Sequence, residues 1–185
     1  MRAEFRAAVG ALRVQRLKFV DETGMTLQLT RRYGRATPGQ RVGEGVPDNY
    51  GANHTMVAAL SLKTLSAPWV IEGAVNGDIF RTWVRDALCP TLRAGDIVLW
   101  DNLTAHKVAG LADLIAARGA HRQFLSPYSP EFNPIEHCWA KIKTHLRKAK
   151  ARTVKALMKA LKAALATVTK TDLKGWFAHC GYPLH

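Results

Sequence analysis

Two hydrophobic periods alternate along the chain. In RLKFVDETG, Leu17, Phe19 and Val20 make a compact apolar run that stops at acids and a glycine, which predicts a strand ending at Asp21. MTLQL then alternates apolar with polar positions, the pattern of a half-buried antiparallel partner. HTMVAALSL and APWVIEGAV predict two further strands turned by KTLS. GDIFRTWVRDALCPTL spaces Ile79, Trp83, Val84 and Leu88 for one helix face, with Asp78 as its cap. GDIVLWDNL holds a fully apolar strand from Ile97 to Trp100 that ends on Asp101, as strands buried on both faces do. HKVAGLADLIAARG reads as a helix begun by His106 and Lys107 and closed by Gly119, and HRQFLSPYSP as a short strand running into prolines.

Two helices finish the chain in this reading. One runs from Pro134 to Lys148. The other runs from Thr153 to Val168 and turns Val154, Leu157, Met158, Leu161, Leu165 and Val168 inward. Residues 3–16 read as a short leading helix. Between residues 30 and 53 the chain is rich in Gly, Pro, Arg and Asn, and so long a loop points to a functional excursion. Strands, helix, buried strand, helix, strand and helices make an α/β chain with neither an internal repeat nor a second domain.

Composition adds a partner to this outline. The 185 residues include 27 Lys or Arg against 14 Asp or Glu, a formal charge of +13, and such a surplus favours a polyanion, nucleic acid first. Ten of the bases lie between His137 and Thr171, a stretch without an acid. The four arginines of the long loop, Arg31, Arg32, Arg35 and Arg41, and the cluster Lys141, Lys143, Arg147, Lys148, Lys150 and Arg152 are the candidate contacts to DNA phosphates. Three scattered cysteines argue for reduced thiols, and no apolar run approaches the length of a spanning helix, so a cytoplasmic protein without membrane contact is expected.

Asp21 and Asp101 each close an apolar strand, and on neighbouring strands of one sheet they would stand close enough to share a cation. Bare, they would repel by roughly 4 kcal/mol at about 4 Å and an effective dielectric near 20. A divalent metal removes that cost. Glu136 falls on the third position of a helix that Asn133 can cap and Pro134 can begin. Two readings of it stay open. It is either a third ligand or the glutamate of a capping box bonded back to Asn133. His137-Cys138 and His179-Cys180 lack zinc-site spacing, Ser126 and Ser129 read as turn residues, and Trp139 and Ile142 read as core.

FVDETG, IVLWDNLTAHK and SPYSPEFNPIEHCWAKIK, in that order, resemble the three signatures of the DDE transposases of bacterial insertion sequences, in the mariner superfamily. Thirty-four residues separate Asp101 from Glu136, the family's spacing, and RRYGRATPGQR and GWFAHCGY fit its patterns too. The resemblance implies a ribonuclease H-like fold with a mixed five-stranded sheet flanked by helices. It implies that Asp21, Asp101 and Glu136 bind two Mg²⁺ ions, for which Mn²⁺ substitutes. Asn102, His106, Lys107 and Asn133 are then the supporting or phosphate-contacting residues. The implied reaction is metal-dependent DNA cleavage at element ends followed by strand transfer into double-stranded target DNA at TA steps, by a homodimer assembled on DNA. The alternative is a catalytically silent DNA-binding remnant. Residues 1–16 are expected to be a remnant of the linker to a missing helix-turn-helix region, and residues 17–185 the catalytic domain.

Overall fold

The computed structural model describes residues 13–46, 48, 51–126, 130–182 and 184. Five strands, β1 (Leu17–Met25), β2 (His54–Leu60), β3 (Leu65–Glu72), β4 (Ile97–Trp100) and β5 (His121–Phe124), form one mixed sheet in the order β3-β2-β1-β4-β5. β2 pairs antiparallel with β1 and β3, while β1, β4 and β5 run parallel. The helices are α1 (Gly77–Trp83), α2 (Leu111–Ala116), α3 (Pro134–Ala149), α4 (Val154–Ala166) and α5 (Lys170–His179). None of the described helices is long and apolar enough to cross a membrane.

The strand period of two sorts the core into halves. Leu17, Phe19, Met25 and Leu99 pack with α3, α4 and α5 on one face; Val20, Val98 and Trp100 pack with Phe80, Trp83, Leu111 and Ile115 on the other. By the same alternation Asp21 follows Phe19 onto the α3 face, where it meets Trp139.

Several elements depart from the sequence reading. β1 does not end at Asp21 but continues to Met25, because its antiparallel ladder with β2 persists from Phe19↔Leu60 to Met25↔His54. The parallel ladder with β4 stops at Phe19↔Leu99, so Asp21 sits where that side of the strand opens. MTLQL is no second strand. The carbonyls of Leu27 and Leu29 instead accept from the Arg152 guanidinium at 2.8 and 3.2 Å, and both side chains pack on the core from a loop.

Asn76, not Asp78, caps α1, its side chain accepting from Ile79 N at 2.9 Å. The expected helix from His106 is broken by Gly110 at φ +82°, leaving His106 and Lys107 in a separate 3₁₀ turn, Thr104–Lys107. Three helices, not two, close the chain. Thr153 caps α4, and Thr169 with Asp172 forms a reciprocal capping box that restarts the backbone as α5. Val154, expected in the core, is 44% exposed. The expected leading helix falls outside the described residues except for a 3₁₀ turn at Val14–Arg16.

Candidate active site

Extending the β1–β4 register by two residues sets Asp21 beside Asp101, since Phe19 faces Leu99. Neighbouring strands are roughly 5 Å apart, so Asp21 and Asp101 stand close beyond the point where the parallel ladder ends, near enough for the Asp101 charge to act on Asp21. Glu136 comes to them on α3. It lies at the third position of that helix, exposed, in the acidic first turn where the helix dipole favours a negative charge.

Asp21 is held in an unfavourable state for a carboxylate. Burial pushes it up to about 7, and the charges of Glu136 and Asp101 add to the shift against the Glu22 backbone N–H and the Trp139 indole. The indole Nε1 donates to Asp21 Oδ2 at 2.9 Å. Asp101 is set differently. Burial works against its ionisation too, but the His106 hydrogen bond, the Leu103 N–H and the imidazolium charge hold it below the usual carboxylate range. His106 Nδ1 lies 2.7 Å from Asp101 Oδ1, and its Nε2 lies 3.3 Å from Glu22 Oε1. The ring is fully buried against Phe80, 4.2 Å between centroids. Although burial alone would depress it, the two carboxylates raise its pKa to about 9, so it stays a cation with both nitrogens donating.

Among the described residues no three His, Cys, Asp or Glu side chains stand in a closed ligating arrangement. The donor set still fits a hard divalent cation. Glu136 and Asp101 each act electrostatically on Asp21, and carboxylate oxygens of this kind would suit Mg²⁺ or Mn²⁺ with open positions. Among the described residues, the two side-chain hydrogen bonds of Asp101, from Leu103 N and His106, both end on Oδ1.

Beside the acids lies a cluster of cations. Burial and Arg147 lower the pKa of Lys143, while Glu136 and Asp21 partly offset this; burial and Arg32 lower that of Arg147. Arg32 from the long loop and Lys143 and Arg147 from α3 thus repel one another next to mutually repelling carboxylates. Arg31, Arg35, Arg41 and Lys148 are exposed, as are Asn102 and Lys107.

Other candidates are engaged elsewhere. Lys141 is bound to Asp172 at 2.5 Å and to the Thr167 carbonyl at 2.8 Å, tying α3 to α5. Lys150 pairs with Glu44, and Arg152 holds the chain after β1. Asn133 makes no capping bond. Among the described residues its Oδ1 is buried without a partner, and the capping-box alternative for Glu136 is not formed. Two contacts were missed from sequence, Trp139 to Asp21 and Glu22 to His106. The one available signal for the first was that a buried indole N–H needs an acceptor.

Both raised groups act on stability with the same sign. The folded pKa of Asp21, about 7, exceeds its ordinary 3.8, and that of His106, about 9, exceeds 6.5, so in each case the folded chain binds more protons and loses stability as pH rises. The window runs from about pH 4 to 7 for Asp21 and about 6.5 to 9 for His106. The melting temperature of the metal-free chain is expected to fall across this range. Added Mn²⁺ should restore more of it at about pH 8 than at about pH 6, because Asp21 must shed its proton to ligate. A melting temperature indifferent to pH and metal would remove the electrostatic basis of the site.

The sequence profile of the DDE superfamily endonuclease family matches residues 16–158. No curated protein sequence matches the chain. Among solved structures it superposes on the Mos1 mariner paired end complex with Mn at a TM-score of 0.74, with 15% identity over 97% of this chain and 56% of that one. The Mos1 strand transfer complex gives 0.70 and 18% over 93% and 56%. The catalytic domain of Mos1 mariner transposase gives 0.64 and 12% over 100% and 91%. Likeness at such identities shows a shared fold, the ribonuclease H-like one. The chain spans less than three fifths of the longer Mos1 chains it matches.

Proposed function

Because this chain belongs to the DDE superfamily endonucleases, we propose that it is the catalytic domain of an insertion-sequence transposase of the mariner type, which cuts DNA at element ends and joins the freed 3′ end to a target. Asp21, Asp101 and Glu136 would hold two Mg²⁺ or Mn²⁺ ions. When bound, such ions stabilise the attacking and leaving oxygens of an in-line phosphoryl displacement. The protein's own part is positional. His106 fixes Asp101 from Oδ1, Trp139 fixes Asp21 from Oδ2, and Lys143, Arg147 and Arg32 receive the DNA backbone beside them.

One observation carries this reading: repelling carboxylates lie against repelling cations, an arrangement that a metal and a phosphate together relieve. Pairing of two subunits on DNA, insertion at TA and a nucleoid location belong to the same proposal. Solved Mos1 relatives carry Mg and Mn and are paired on transposon-end DNA, which supports it.

Supercoiled plasmid incubated with the chain is expected to become nicked in Mg²⁺ or Mn²⁺ and to stay intact in EDTA. Salt-sensitive binding without nicking under any metal would instead identify a silent DNA-binding remnant.

A further inference from the structure

At the opposite end of the sheet, where β1 and β4 begin and β2 turns into β3, lies a cleft of about 630 Å³. Among the described residues its walls carry Arg13, Arg16, Lys18, Lys63 and Arg93 and a single carboxylate, Asp96. Five cations less one anion leave four positive charges unbalanced. Asp96 does not offer its charge to solvent. It is 4% exposed, accepts from Arg93 N at 2.9 Å and lies 3.7 Å from both Arg16 and Lys18. Lys18 also donates to the Thr91 carbonyl at 3.1 Å, so Arg16 and Lys18 form a braced floor while Arg13, Lys63 and Arg93 are exposed above it. Arg93 and Lys63 are close enough to act on the Lys18 ammonium.

We propose that this cleft binds the phosphodiester backbone of a stretch of duplex DNA distinct from the one at the carboxylates. The cations come from three separate segments, residues 13–18, the turn between β2 and β3 and the approach to β4, and five of them around one cleft exceed what a lone phosphate would need. From Leu17 to Asp21 the strand rises about 13 Å, the length of roughly four base-pair steps, so the phosphates held here are not the one being cut. The inference rests on duplex DNA being this chain's partner.

The test is fluorescence anisotropy of a short labelled duplex in EDTA across a KCl series, with the combined variant Arg13→Ala, Lys63→Ala, Arg93→Ala. Its comparison is Lys155→Ala, Lys159→Ala, Lys162→Ala, an equal charge loss on the exposed side of α4. The cleft variant is expected to bind about tenfold or more weakly and to lower the salt slope by up to about 2.7, while the comparison variant changes little. Equal losses in both variants, or none in the first, overturn the proposal. So does displacement of the duplex by inorganic phosphate at the same phosphate concentration, which would mark a single-phosphate site. Binding in EDTA does not depend on cutting. A chain that never nicks but loses affinity with the cleft variant keeps this site and loses the catalytic reading; the reverse pattern does the opposite.

Discussion

Asp101→Asn is expected to reduce metal-dependent nicking by on the order of 10³-fold or more, with the fold intact. The amide is nearly isosteric, and its oxygen can still accept from the Leu103 N–H, which now reaches Asp101 Oδ1 at 3.1 Å. What disappears is the charge. A metal contributes several kcal/mol of transition-state stabilisation, and each 1.36 kcal/mol lost is tenfold in rate, so losing a ligand accounts for about three decades. Asp21→Asn should be equally inactive but differ in stability. Its carboxylate is raised to about 7 by burial and by its acidic neighbours, so removing it relieves a penalty. Metal-free Asp21→Asn is therefore expected to melt higher than the unaltered chain above about pH 7. Nicking rates and melting curves for the two variants check both halves. Retention of a tenth or more of the activity by Asp101→Asn would take Asp101 out of the site.

The largest stability effect is expected at Phe177, in a helix beyond the reach of the family match, which stops at residue 158. Phe177 is fully buried, with its ring edge-on to Phe19 of β1 at 5.5 Å and 5.7 Å from Tyr182. Tyr182 in turn donates to the Phe132 carbonyl at 2.6 Å, so the last turn of the chain is bound to the segment just before α3. Phe177→Ala should cost about 3–5 kcal/mol through lost burial and an unfilled cavity. Urea denaturation measures it, and Phe177→Leu should recover most of the loss. A cost under about 1 kcal/mol would mean that α5 is an appendage and not part of the core.

Where local pattern and tertiary structure agree, the sequence was readable. β4 and α3 were legible because an apolar run ending in Asp101, and Ile135, Cys138, Trp139, Ile142 and Leu146 at helical spacing, each admit one arrangement. The end of β1 was misread because its two edges end at different residues, a property of pairing and not of the strand itself. The helix after β4 was overextended because its apolar spacing runs through Gly110, whose positive φ only the backbone reveals. For the site, the three acids were visible as motif residues. His106, which bonds Asp101, was visible with them; the Trp139 to Asp21 contact, which spans 118 residues, and the Glu22 to His106 contact, which spans 84, were not, because no local spacing encodes either.

Helix α3 carries Glu136, Lys143 and Arg147 on one rigid rod whose opposite side is fixed in the core. With a rise of 1.5 Å per residue, Lys143 stands about 10 Å and Arg147 about 16 Å along the axis from Glu136. Those intervals cannot change without unwinding the helix. In the proposed reaction the rod would therefore work as a ruler: gripping the nucleic acid at its far end would determine which bond in the strand lies at the near one.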